Sequence, residues 1–395
     1  MKDLDIPDPA DDFTADPVEL FFDLAFVFAF SQLVAHLIHH PTWEGAGDGL
    51  LLFLMLWLPW TQFTWSANAV PGNRREVRLV ILVATAASVP MAAGVTTAFG
   101  DGGPVFAIPL ALITVLGLAL LGMASETGSE LHRAISSYAV PNAVTGALFI
   151  VGSFVDDGAV RRSIWILGLV VVVIGTVRAG SASWVLRPGH FAERHGLIII
   201  VALGEVIVAI ARPVVEGLEE GAGLPSESVL SLVAAGAFAA LLFWAYFDRP
   251  QHAFEHGSAT REGRERTEYA RDVYTYFHAA IVAGIILAAA AVEEAALHPA
   301  EALPLEYRTM LFGGLVLFLL GVLGGVARAY RVIPPERLVA IPVLAAVIYL
   351  GADLDGMVLL LLVDAVLLAV LATEYRRIEV PAAGGTPGTR VPTRE

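Results

Sequence analysis

Twelve apolar runs of membrane-spanning length follow one another along this chain, at 18–40, 48–68, 77–98, 104–124, 136–155, 163–182, 194–211, 228–247, 272–292, 309–328, 337–352 and 356–373. Each is 16–23 residues long and none alternates apolar with polar at period two. Backbone N–H and C=O groups in hydrocarbon must be satisfied within their own segment, so runs of this kind mean helices and not barrel strands. Composition agrees. Only 16% of residues are charged and 56% are apolar, where a soluble domain carries roughly 25% charged residues, and the mean hydropathy is +0.70. The expected fold class is all-α: a polytopic membrane helix bundle of about 12 transmembrane helices. The runs at 337–352 and 356–373 are parted only by Asp353, Leu354, Asp355 and Gly356, so this pair also fits a re-entrant hairpin.

Orientation has its own signal. With twelve spans the loops fall into two sets, and the set that includes both ends of the chain holds every basic residue except Arg161, Arg162, Arg212 and Arg308. Positive charge stays cytoplasmic, so both termini are expected inside, with the protein in the cell membrane. Six Asp residues among the first sixteen read as a solvated acidic tail, and no basic stretch precedes an apolar core there as a leader would require. The net charge of −15 gives no basic patch for nucleic acid. Cysteine is absent, which removes disulfides and thiolate chemistry.

The two halves echo each other. Glu19 opens the first run with Gln32 thirteen residues on, and Glu193 opens the seventh with Glu205 twelve on. Trp57, Trp60, Trp65 and Asn68 end the second, as Trp244, Tyr246 and Asp248 end the eighth. Arg75 and Arg78 open the third, as Arg271 opens the ninth. The expected organisation is an acidic tail (1–17), a first six-helix half (18–182), a second (183–376) and a disordered tail (377–395). Six spans per half make this a parallel repeat, a plan that transporters use.

The segment Val18-Glu19-Leu20-Phe21-Phe22-Asp23-Leu24-Ala25-Phe26 resembles the first span of the bacterial low temperature requirement A family. So do His190-Phe191-Ala192-Glu193-Arg194-His195-Gly196-Leu197 with Leu203-Gly204-Glu205, and Trp244-Ala245-Tyr246-Phe247-Asp248 with Arg271-Asp272-Val273-Tyr274-Thr275-Tyr276-Phe277-His278. The resemblance covers nearly the whole chain. Where the family often ends its second span with Asp residues, this chain has Trp65-Ser66-Ala67-Asn68-Ala69. The resemblance implies a membrane helix bundle linked to growth in the cold, and names no reaction.

An ionisable residue at mid-membrane costs roughly 2.5–3.5 kcal/mol on insertion scales, so each one needs a partner or a purpose. Glu19 and Asp23 share a helix face one turn apart, near the inner end, with Arg75 and Arg78 expected close by. Glu193, Arg194, Asp248 and Arg271 form the equivalent set. These eight read first as a structural clamp that pairs helices, with an inner gate or headgroup contact as the alternative. Deeper lie Glu205, about 16 Å along its helix from Arg194, then His278, Asp364 and Gln32. Carboxyl and imidazole groups at that depth can exchange protons near neutral pH, so Glu205, His278 and Gln32 are a candidate binding or proton-relay set if they converge, and sealed helix contacts if they do not. For Asp364 the structural reading is preferred. His36, His39 and His40 at the outer end of the first run include an i, i+4 pair, read as a wet interfacial cluster and not as a metal site. No phosphate-binding glycine loop, zincin motif or serine elbow is present, so no cofactor or metal is expected, nor an ATP-driven pump. The expected function is secondary transport or conduction of a small solute or ion, with proton coupling as one form of it. An integral membrane enzyme acting on a lipid or other apolar substrate, and a non-catalytic protein of cold tolerance working through lipid contacts, are the alternatives.

Overall fold

The computed structural model describes residues 15–70, 74–125, 128–179, 184–219 and 226–379. Most of the acidic tail and nearly all of the C-terminal tail expected from the sequence lie outside the described residues. The first half comprises α1 (Pro17–His39), α2 (Trp43–Ala69), α3 (Arg75–Ala93), α4 (Gly103–Met123), α5 (Glu130–Ser153) and α6 (Gly158–Ala179). The second comprises α7 (Pro188–Glu219), α8 (Ser226–Phe247), α9 (Pro250–Ala259), α10 (Gly263–Ala270), α11 (His278–Leu297), α12 (Leu305–Tyr330), α13 (Pro335–Leu350) and α14 (Gly356–Glu379). A π-helical stretch, Arg271–Phe277, joins α10 to α11 without a break. Among the described residues there is no β-strand, only a single bridge between Ala302 and Asp355.

Among the described residues, eleven helical paths are long and apolar enough to cross a membrane, with α8 and α9 forming one path and α10 to α11 another. The chain is thus a multi-pass membrane protein. The exception is α13, whose 16 residues span about 24 Å at 1.5 Å per residue, short of a hydrocarbon core of about 30 Å. The pair that sequence made ambiguous is therefore unequal: α14 is full length and α13 is not. Their connecting turn is fastened to the α11–α12 loop by the Gly356 N–H donating to Glu301 O at 2.7 Å.

Local sequence sets where helices begin. Asp16 caps α1 by accepting from Val18 N at 3.1 Å, while the Glu19 carboxylate accepts from Asp16 N at 3.3 Å. Pro17 follows at the first helical position, where its missing N–H costs nothing. Thr42 and Ser129 cap α2 and α5 in the same way.

Within the first half α1 packs on α2 and α3, α3 on α4, α4 on α2 and α5, α5 on α6, and α2 on α6. In the second, α7 packs on α8 and α11, α11 on α12, α12 on α13, α13 on α14, and α8 on α14. The two groups meet where α1 lies against α7 and α11, and α2 against α7. Enclosure follows this plan: 78% of the apolar window of α2 is buried, against 28% for α5 and α6. On α6, Ile166, Leu167, Val170, Ile174 and Val177 stay about half exposed. A row of that kind would be a liability in water and is ordinary against lipid tails.

Glycines set the closest approach in the bundle. A Cβ on Gly284 of α11 would sit 2.6 Å from Phe318 N, and one on Gly314 of α12 would sit 2.6 Å from Gly284 O. Gly321 and Gly325, a small-residue spacing visible in the sequence, likewise face the Phe277 carbonyl and the Phe254 ring. Two backbones in contact leave no side chain to yield. Gly314→Val is therefore expected to lower stability by about 3 kcal/mol or more, beyond the usual overpacking cost, read as a lower unfolding temperature and loss of the monodisperse peak in detergent. Gly122→Val, at a position with open space around it, serves as the control.

Candidate functional site

The meeting of α1 and α7 is held by charge. Arg194 of α7 places Nη2 2.9 Å from Asp23 Oδ1 and Nη1 3.6 Å from Glu19 Oε2, and all three side chains are buried. Trp60 of α2, also buried, donates its Nε1–H to the same Asp23 oxygen at 2.8 Å. One turn toward the N-terminus of α7, His190 stands between Glu19 and Asn68. Its Nε2–H donates to Glu19 at 3.1 Å, and its Nδ1 accepts from the Asn68 amide at 3.2 Å. A carboxylate can only accept and an amide N–H can only donate, so these contacts fix the neutral Nε2–H form of His190.

Asn68 ends α2 and does more than orient that imidazole. Its Oδ1 accepts from Arg187 N at 2.6 Å, its Nδ2 donates to Arg187 O at 3.2 Å, and its backbone carbonyl accepts from the Arg187 guanidinium. The segment entering α7 is thereby fixed to the end of α2. Glu19, Asp23, Arg187 and Arg194 carry two charges of each sign, so this buried layer is formally neutral.

Beyond it lies a layer of rings centred on His195. Its ring centre is 5.1 Å from that of Trp60, 4.7 Å from Tyr274 and 5.1 Å from His278. His195 donates Nδ1–H to Phe191 O at 2.8 Å, which leaves Nε2 as a lone-pair acceptor. That nitrogen, the second Asp23 oxygen and the Tyr274 hydroxyl are buried with no hydrogen-bond partner among the described residues. His278 is satisfied on both sides: Nδ1–H donates to Val273 O at 2.9 Å and Nε2 accepts from the Tyr246 hydroxyl at 2.7 Å. The π stretch makes the first bond possible, because its wider winding brings the carbonyl five residues back to His278. Such turns inside α-helices are frequent at functional sites. Trp57 and Trp65 bind the same stretch, through the Thr275 carbonyl at 2.8 Å and its hydroxyl at 3.2 Å.

Deepest along α7 is Glu205, fully buried, whose Oε2 accepts from the Ser31 hydroxyl of α1. The structure thus brings together part of the set expected from sequence and rearranges the rest. Glu19 and Asp23 pair with Arg194 of the other half, not with Arg75 or Arg78. Arg75 is exposed, and Arg78 instead reaches Asp16 at 3.2 Å. Glu193 accepts from Ala15 N at 2.9 Å. Asp248 is exposed beside Arg249, and Arg271 pairs with its neighbour Asp272 at 2.7 Å, so neither joins Arg194. Ser31, not Gln32, meets Glu205; Gln32 is half-buried on the adjoining face. His278 meets Tyr246 and Val273 rather than Glu205. Asp364 is buried on α14, which packs on α8, α11 and α13, with neither oxygen hydrogen-bonded among the described residues.

Sequence reasoning missed His190, His195, Arg187, Tyr246 and Tyr274 as parts of the site. The available signal was the packing of His190, Arg194 and His195 within six residues at the start of an apolar run: three side chains that hydrocarbon penalises, placed where two helix faces must both be buried. No group of three or more His, Asp or Glu residues suited to a metal ion occurs among the described residues.

Removing one partner of a buried ion pair costs about 3–5 kcal/mol, because the other charge stays behind. Arg194→Gln, which strands two carboxylates, is expected to fall in that range, and adding Asp23→Asn to it is expected to recover part of the loss. Thermal unfolding of the four proteins of this cycle in detergent measures the coupling.

Comparison with known proteins places the chain. The sequence profile of the family described as bacterial low temperature requirement A protein matches residues 14–372. An uncharacterised protein of Rhizobium meliloti (strain 1021) is 29% identical over 376 residues, which cover 90% of this chain and 88% of that protein. No solved structure matches.

Proposed function

The chain belongs to the bacterial low temperature requirement A family, and from that premise we propose that it is a secondary transporter or channel moving a small solute or ion, coupled to protons, across the cell membrane, with both termini inside, α13 serving as a short twelfth span whose following turn returns to the α11–α12 loop. The observation that carries this reading is Glu205: a carboxyl buried on α7, far along the helix from the Arg194 cluster, answered across the α1–α7 contact by the Ser31 hydroxyl. A structural role alone is better served by an apolar residue, since a well-packed hydrophobic pair is as stable as a buried polar one or more so. An intramembrane ionisable residue is by default a mark of function.

The helix neighbours support the same reading. Each contact of α1 with α2 and α3, of α3 with α4, of α4 with α5, of α5 with α6 and of α2 with α6 has a counterpart six spans later, in α7 with α8 and α11, α11 with α12, α12 with α13, α13 with α14 and α8 with α14. A six-plus-six parallel repeat accounts for this pattern, and sites at repeat interfaces near mid-membrane are the transporter arrangement. The charged layer of Glu19, Asp23 and Arg194 then closes the inner end, and the His195–His278–Tyr246 layer lies between that closure and the rest of the core. Glu205 lines none of the principal cavities.

Proteoliposomes holding a trapped pH dye provide the test. With an imposed pH gradient and a panel of ions and metabolites outside, the wild-type protein is expected to dissipate the gradient. Glu205→Gln is expected to slow this at least about tenfold, the usual scale of a lost proton-transfer group being 10²–10⁴, and Ser31→Ala is expected to slow it less. A wild-type rate equal to that of protein-free vesicles across the panel removes the proposal.

A further inference from the structure

A second site lies at the end of the bundle where α1 gives way to α2. There a cavity of about 770 Å³ opens between these helices, the α3–α4 loop and the start of α6. Its walls carry His36, His40, Glu44, Asp48, Asp101 and Arg162, so with the imidazoles neutral three carboxylates face one guanidinium. That guanidinium is held in a specific way. Its Nε–H and Nη2–H reach the two oxygens of Asp48 at 2.6 and 2.7 Å, Glu44 Oε1 is 2.7 Å from Nη2, and the Phe99 ring centre is 5.2 Å from Cζ. A bidentate carboxylate, a second carboxylate and a ring face together form a cradle for a planar or ammonium-type cation.

His36 gives the independent sign that something else binds here. It is 4% exposed and lines the cavity; the Gly45 carbonyl lies where it can take the ring N–H, and the other ring nitrogen has no hydrogen-bond partner among the described residues. A buried imidazole with a free lone pair is costly unless a ligand or solvent answers it. Its ring neighbours, His40 at 5.0 Å and Phe99 at 6.3 Å, do not. A metal ion is disfavoured, since the described residues offer no three-ligand cluster. An N–H cation fits, because the imidazole lone pair accepts from it while the carboxylates neutralise it.

We propose that this cavity is a recognition site for small organic cations bearing N–H donors, primary ammonium or guanidinium, and that Arg162 is a tethered occupant which such a ligand displaces. Arg162 sits at the wet edge, 28% exposed, so displacement returns its charge toward water, with Asp101 on the same rim as an acidic partner. The cavity is separate from Glu205, and binding here does not depend on whether the protein transports.

Titration calorimetry on the full-length protein in detergent tests this with methylguanidinium and methylammonium, and with tetramethylammonium as a cation lacking N–H donors. Saturable binding of the first two is expected. Arg162→Gln, which removes the internal competitor, is expected to tighten it about tenfold, equivalent to 1.4 kcal/mol. Asp48→Asn is expected to abolish it and His36→Phe to weaken it about tenfold. Glu44→Gln leaves the Asp48–Arg162 pair that ties α2 to α6, and so reports on binding should Asp48→Asn fail to fold; it is expected to weaken affinity several-fold. The proposal is overturned by folded wild type and Arg162→Gln that both show no saturable binding, by an Arg162→Gln protein that binds more weakly than wild type, or by tetramethylammonium binding as tightly as methylguanidinium.

Discussion

One guanidinium shared by two carboxylates holds the centre of this molecule. Hydrocarbon offers no water to a stray charge, so Arg194 can be buried on α7 only because Asp23 and Glu19 are buried on α1. That requirement fixes the rotation of both helices about their axes. Once α1 is rotated so that these carboxylates face α7, its residues one and two turns further on are assigned their neighbours as well, and Ser31 comes to stand at Glu205. The electrostatic condition at one end of the contact thus determines which polar side chain occupies its middle.

Around this contact the polar groups are arranged in layers that differ in kind. The outermost, Asn68 with Arg187 and His190, is a backbone-and-amide splice between the end of α2 and the start of α7. Next come the charges, paired and formally balanced. Then come rings, where His195 and His278 are each held in one tautomer by a backbone carbonyl of their own helix. The tryptophans of α2 tie the layers together: Trp60 donates to the charged layer, and Trp57 and Trp65 donate to the π stretch that carries Thr275. A helix as enclosed as α2 cannot leave three indole N–H groups unanswered: Asp23 answers Trp60, and Thr275 answers both Trp57 and Trp65.

Much of the architecture was legible from one residue type at a time. Uninterrupted apolar runs report the solvent directly, which is why every such run became a helix and why the short one, α13, was visible as an anomaly. Pairings between helices were legible only in part. Glu19 and Asp23 were correctly read as needing a cation, but Arg75 and Arg78 were the wrong ones: α3 does pack on α1, yet both of these side chains are exposed, while Arg194 is buried in the α1–α7 contact. The substitution of Ser31 for Gln32 opposite Glu205 has a simple cause: one residue of offset is a 100° turn of an α-helix, and an internal correspondence that slips by one residue cannot resolve it. His195 was hidden for a different reason. Next to Arg194 it looked like part of the charged helix end, and only the fold shows that successive residues there point into two separate layers.

The glycine contact between α11 and α12 bears on how the molecule can move at all. Where two main chains touch, neither rolling nor sliding is open to them, since any step of either helix drives a side chain into the opposite backbone. These two helices therefore behave as one rigid strut, and His278, at the head of α11, is anchored to it. Whatever flexing the bundle undergoes must be taken up by surfaces made of side chains, whose torsions can reset. The strut supplies the fixed frame against which such displacements are defined.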